Sequence, residues 1–148
     1  MNKLNKVEIE KLLPHREPML LIDSIINIKK LSSATGVVNV NFNSFFLNGH
    51  FPNNPVMPGV LIVEAFGQTA AALTAHGLDR SVYENKLVFL MGVEKARFRN
   101  PVIPNCELLF NIEAIRTHGK VWKYKGQAFV DNKLMADAIW SATIVDKK

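Results

Sequence analysis

Apolar residues along this chain fall into two kinds of pattern. From residue 86 onward, KLVFLMGVEKARFR, ELLFNIEAIRTHG, KVWKYKGQAFVD and KLMADAIWSATIVD follow one another as strand-like runs. HGK and VDNK punctuate them, and Asp131-Asn132 suits a hairpin loop. Upstream, Thr35 to Phe42 alternates, with Val38, Val40 and Phe42 expected on the core side. PMLLIDSIINI is a β-branched run suited to a buried strand. Residues Lys6 to Leu12 suggest a short amphipathic helix that Pro14 stops.

The one long helix expected is VLIVEAFGQTAAALTAH, entered through Pro58-Gly59 and closed by Gly77 as a C-cap. A helix of that length spans roughly 25 Å and is apolar on nearly every side. Only the strands can wrap it. One buried helix and a meander of five or six strands predict an α+β hot-dog fold, an antiparallel sheet curled around a central helix.

The chain of 148 residues, 48% hydrophobic and 21% charged, is expected to form a single domain over 1–148. The stretch from Gly59 to Leu78 has the length of a membrane span, but Glu64 near its middle favours a buried core helix. The opening residues lack a continuous apolar run, so no secretory signal is expected. One cysteine, Cys106, excludes an internal disulfide and a Cys-rich zinc site. Net charge is +5, spread along the chain, which favours anionic partners. No nucleic-acid-binding motif accompanies that charge.

Chemistry concentrates in GHFPNNPVMPGVLIVEAFGQ, residues 49–68. Glu64 is the only formal charge in an apolar run and stands fourteen residues after His50. Gln68 lies one turn further on, so its amide can hold the Glu64 carboxyl. Burial among Leu61, Val63, Ala65 and Phe66 predicts a raised pKa and a carboxyl able to donate a proton. His50, in a proline-rich turn, is the complementary base. Gly59 opens the helix, where unpaired N–H groups can polarise a carbonyl oxygen. A base, an acid and an oxyanion donor suit proton abstraction beside a carbonyl followed by loss of water. No nucleophile or metal is required.

Those residues carry a resemblance. LLPHREPMLLID, NGHFPNNPVMPGVLIVEAFGQTAA, FLMGVEKARFRNPVIPNCEL and GQAFVDNKLMADAIWSATIV resemble blocks of the FabZ-type 3-hydroxyacyl carrier protein dehydratases of bacterial-type fatty acid synthesis. The resemblance implies a homodimer joined through its sheet edges, commonly a trimer of such dimers, with no cofactor. It implies that His50 of one chain and Glu64 of the other share a site. There His50 takes the C2 proton, Glu64 assists loss of the C3 hydroxyl, the Gly59 N–H holds the thioester carbonyl and Gln68 orients Glu64. Glu64 also separates the chain from the related dehydratase–isomerases, which carry Asp there. Glu17 and Asn53 depart from the family pattern, which touches loop shape or substrate gating rather than the reaction.

Lys95, Arg97 and Arg99 alternate along one strand face, a candidate docking patch for an acidic acyl carrier protein. Phe45, Phe46 and Phe51 are candidates for lining an acyl tunnel. His15, His76 and His118 lack metal-ligand spacing and are expected to be structural or surface residues. The expected location is cytoplasmic, without membrane insertion. Competing readings are a hot-dog thioesterase and a carrier-binding subunit without turnover; the paired His50 and Glu64 argue against both.

Overall fold

The computed structural model describes residues 2–146. Helix α1 covers Lys6–Leu12, and Asn5 with Glu8 forms a reciprocal capping box at its start. It ends as expected before Pro14: Leu13 is extended, the backbone that a residue preceding proline favours. Strands β1 (Ser24–Lys29) and β2 (Ser33–Val40) follow, then a 3₁₀ turn at Phe45–Leu47. Helix α2 spans Gly59–Gly77, and a short α3 covers Arg80–Tyr83. Strands β3 (Lys86–Phe98), β4 (Cys106–His118), β5 (Val121–Val130) and β6 (Lys133–Asp146) complete the described chain.

All six strands form one antiparallel sheet in the order β1-β2-β4-β5-β6-β3. The β5–β6 hairpin turns at Asp131-Asn132, both with positive φ, 47° and 67°. Asp and Asn tolerate that left-handed region, which is why two residues suffice. The sheet curls around α2, the hot-dog arrangement.

Packing against the sheet is close because the strands supply glycine beneath the helix. Phe66 is fully buried between Phe110, 4.9 Å away at 90°, and Trp140, 5.2 Å away. A Cβ on Gly126 would meet the Phe66 ring at 2.7 Å, and one on Gly36 would meet Thr69 Oγ1 at 2.2 Å. These strand positions admit only glycine unless the helix shifts outward. The second half of α2, Ala70 to Ala75, is buried all round; its first turn is not, and Val60 is 77% exposed.

Three local expectations need correction. The strand expected from Pro18 begins only at Ser24. Leu20, Leu21 and Ile22 are buried in non-strand backbone, because Met19 C=O and Leu21 N–H bond to the Gln68 side chain instead of a neighbouring strand. The alternating strand ends at Val40, so Phe42 is 68% exposed; Asn41 and Ser44 cross-bond in a turn there. Gly77 is the last helical residue rather than a left-handed cap. Leu78 caps the helix, and Gly77 is small because a Cβ would lie 2.5 Å from the Leu31 side chain.

Candidate active site

His50 follows the 3₁₀ turn in a loop closed by its own backbone. His50 N–H donates to Leu47 C=O at 3.2 Å, and Val56 N–H donates to His50 C=O at 2.7 Å. Met57 N–H ties the loop to Val102 C=O at 2.8 Å. The His50 ring stacks on Phe51, and its Nδ1 lies 2.7 Å from Val56 C=O. A carbonyl can only accept, so Nδ1 carries the proton and Nε2 presents its lone pair. The loop therefore holds His50 in the tautomer a base needs.

Glu64 and Gln68 share a face of α2 at the expected spacing. Gln68 is buried, and its Nε2 donates to Glu64 Oε2 and to Met19 C=O, each at 2.7 Å. Its Oε1 accepts from Leu21 N–H at 2.9 Å. One amide thus fixes the carboxyl and the loop before β1 together.

The same loop delivers a residue expected to be merely structural. His15 Nε2 lies 3.5 Å from Glu64 Oε2. Burial, the largest influence on Glu64, pushes its pKa up. Hydrogen bonds from His15 and Gln68, with the charge of His15, outweigh it and hold the carboxyl below its ordinary range. The expected raised pKa is therefore not found in the single chain: counting apolar neighbours on the helix misses donors from elsewhere. The only sequence signal for His15 was its place in LLPHREP, since no helix or strand spacing links it to Glu64.

Gly59 opens α2 with Pro58 as N-cap. Leu61 and Ile62 N–H both reach Pro58 C=O, whereas Gly59 and Val60 N–H have no backbone partner among the described residues. These are free donors at the positive end of the helix. The glycine has a packing reason too, because a Cβ would meet the Phe98 ring at 3.0 Å.

The Glu64 recess is bounded by His15, Val63, Gly67, Gln68, Val88 and Leu90, with no residue of the His50 loop. An apolar recess adjoins it, sharing Val88 and Ala142 and running to Trp122 and Tyr124. Its water-accessible volume is about 20 Å³, room for about one water molecule. Phe45 and Phe51 instead line a surface recess around Pro52, while Phe46 packs in the core.

Lys95 and Arg97 lie exposed on β3, and Arg99, also exposed, is the first residue after the strand. Arg99 is engaged with Asp137 at 2.6 Å; Lys95 and Arg97 have no ion-pair partner among the described residues. Strand β3 is one edge of the sheet, and Phe89, Leu90, Met91, Val93 and Phe98 are all at least 41% exposed along it. Among the described residues no cluster of three His, Cys, Asp or Glu could hold a metal. No described helix is long and apolar enough to cross a membrane.

Residues 13–139 match the family model described as a FabA-like domain. The 3-hydroxyacyl-[acyl-carrier-protein] dehydratase FabZ of Myxococcus xanthus is 49% identical over 140 residues, 95% of this chain and 91% of that protein. The protein of the same name from Paramagnetospirillum magneticum is 45% identical over 140 residues, 95% of this chain and 86% of its own. The chain belongs to the FabZ family. Among solved structures, the dehydratase heterocomplex ApeI:P from Xenorhabdus doucetiae superposes with a TM-score of 0.82 over 94% of this chain and 91% of that one. At 18% identity that likeness shows the shared fold alone. In this FabZ-family chain, the matched segment contains His15, His50, Gly59, Glu64 and Gln68.

Proposed function

We propose that the protein is a (3R)-3-hydroxyacyl carrier protein dehydratase of fatty acid synthesis, a hydro-lyase forming trans-2-enoyl thioesters without a cofactor. The observation that carries this reading is His50: its Nδ1 is committed to Val56 C=O, leaving Nε2 as a base in a chain of the FabZ family. His50 Nε2 takes the C2 proton, and the electron pair of that bond becomes the C2–C3 double bond. The C3–O bond breaks, and the Glu64 carboxyl gives its proton to the departing hydroxyl, which leaves as water. The Gly59 N–H holds the thioester oxygen as charge builds on it, and Gln68 keeps Glu64 oriented.

The complete site lies between two copies of the chain, His50 of one protomer facing the partner's Glu64. Support comes from the absence of the His50 loop from the Glu64 recess and from β3. A long, apolar edge strand left unpaired would recruit another strand, and a second copy of β3 is the self-complementary solution. Cover from the partner removes water around Glu64, adding to the upward push of burial on its pKa. Three such dimers form the assembly. The acyl tail lies along Val88 and Ala142 toward Trp122 and Tyr124, a path that side chains must widen to fill. Lys95 and Arg97, with Arg99 sharing its charge with Asp137, receive the acidic carrier protein, and the enzyme works in the cytoplasm.

The test is incubation of the protein with a 3-hydroxyacyl carrier protein, following ultraviolet absorbance of the enoyl thioester and release of free thiol. Enoyl formation without thiol release is expected. Thiol release would make the protein a thioesterase, and neither signal would make it a binding subunit.

A further inference from the structure

We propose that His15 is a positioning residue for Glu64, one that decides which carboxyl oxygen faces the substrate. The inference rests on the reading above that Glu64 acts on the departing hydroxyl. Two donors converge on one oxygen of Glu64: Gln68 Nε2 at 2.7 Å and His15 Nε2 at 3.5 Å, both toward Oε2. No donor reaches Oε1 among the described residues. An oxygen that accepts from Gln68 and faces a second ring nitrogen at 3.5 Å is a poor seat for a proton, so a protonated Glu64 carries it on Oε1. Oε1 is then the oxygen that meets the hydroxyl.

The tautomer of His15 follows from the same contacts. Donation to Oε2 requires a proton on Nε2. Nδ1 is buried with no hydrogen-bond partner. The opposite neutral tautomer would turn a lone pair toward the carboxylate, so Nε2 is the nitrogen that carries a proton toward Glu64.

The loop holds this arrangement from two sides. Arg16 donates to Leu13 C=O at 2.8 Å and to His15 C=O at 2.7 Å, bracing the turn after Pro14. Gln68 grips the far end through Met19 and Leu21. The residue that orients Glu64 therefore also holds the segment carrying its second donor. Other groups bounding the recess are Val63 and Gly67 from α2, Val88 and Leu90 from β3, and Ala142 from β6, none of them titratable. His15 is the one titratable neighbour of Glu64 in this recess.

The experiment compares His15→Leu, which keeps bulk without a donor, with His15→Gln, whose amide can donate from a similar reach, in the full-length oligomer. Steady-state kinetics with 3-hydroxyacyl carrier protein, pH–rate profiles, melting temperature and ¹⁵N shifts of the His15 ring are measured. His15→Leu is expected to lower kcat about ten- to a hundredfold with little change in KM. Its pH–rate limb belonging to the carboxyl moves to higher pH, because Gln68 alone then opposes burial. His15→Gln restores most of kcat, and the wild-type ring carries a proton on Nε2.

Wild-type kcat in His15→Leu overturns the proposal, as does an equal loss in both variants with an unmoved limb, which marks a purely structural residue. If His15→Leu fails to fold, the Gln variant and the ring shifts decide; an Nδ1–H tautomer overturns it. Glu64→Gln separates the two levels. An active Glu64→Gln means that the catalytic reading itself is at fault, whereas an inactive one beside a wild-type-like His15→Leu sinks the role of His15 alone.

Discussion

Gln68 donates to Glu64 Oε2 at 2.7 Å while its own carbonyl accepts from Leu21 N–H at 2.9 Å, so one buried amide joins the candidate acid to the loop before β1. Replacing it with leucine leaves Met19 C=O and Leu21 N–H without partners and frees the carboxyl. Gln68→Leu is expected to lose about 2 kcal/mol or more of stability by denaturant unfolding. Its kcat falls as well. A variant with wild-type stability and turnover would show that the amide holds neither partner.

The hydrogen bond from His50 Nδ1 to Val56 C=O needs only backbone on the far side, so mutating the histidine leaves the loop closed by its other bonds. His50→Ala is expected to stay folded and oligomeric while dehydration falls about a hundred- to ten-thousandfold, the range of a lost general base. Near-normal turnover of a 3-hydroxyacyl thioester by this variant would remove His50 from the mechanism.

These two residues also show how far the sequence carries. The spacing of Glu64 and Gln68 on one helix face made their hydrogen bond legible, because a helix fixes which positions are neighbours at i and i+4. Helix α2, the four later strands and the Asp131-Asn132 turn were legible for the same local reason. The partnership of His15 with Glu64 was not, since it depends on a loop that a distant side chain holds in place. Nor did apolar neighbours of Glu64 reveal the donors that reverse the direction of its pKa shift. Gly36 and Gly126 looked like ordinary strand residues until Thr69 and Phe66 lay across them.

Those glycines give a stability prediction. A methyl group at Gly126 meets Phe66 and Ile112 within 2.9 Å, deep in the core beside Trp140. Gly126→Ala should therefore destabilise by about 1–3 kcal/mol, the usual range for overpacking. Gly119→Ala makes a useful contrast: nothing lies within 4 Å, but its φ of +64° disfavours any side chain. Its loss should be about 1–2 kcal/mol and without effect on core packing. Near-ultraviolet circular dichroism distinguishes them, changing for Gly126→Ala and not for Gly119→Ala.

Strand β3 predicts the oligomer. Met91 lies midway along the exposed edge and is 56% exposed in the single chain. Lysine is the residue with which proteins commonly protect such edges. Met91→Lys is expected to yield a folded monomer by analytical ultracentrifugation, because pairing of β3 with β6 on the other side is untouched. Catalysis falls with dimer content, since the two halves of the site separate. An active monomer would place His50 and Glu64 in one chain's site after all.

The depressed pKa of Glu64 gives the last prediction, and its sign follows from linkage. A carboxyl whose pKa is lower folded than unfolded contributes stability that is present above the unfolded value and lost as pH falls through the folded one. Glu64 should therefore favour folding at neutral pH and cease to do so in acid. Glu64→Gln removes the titration while keeping a similar shape, so the variant's melting temperature should fall less between pH 7 and about pH 3 than that of wild type. The comparison is made in the Met91→Lys background, where no partner covers Glu64. A larger fall in the Gln variant would mean that burial outweighs His15 and Gln68 even in the single chain.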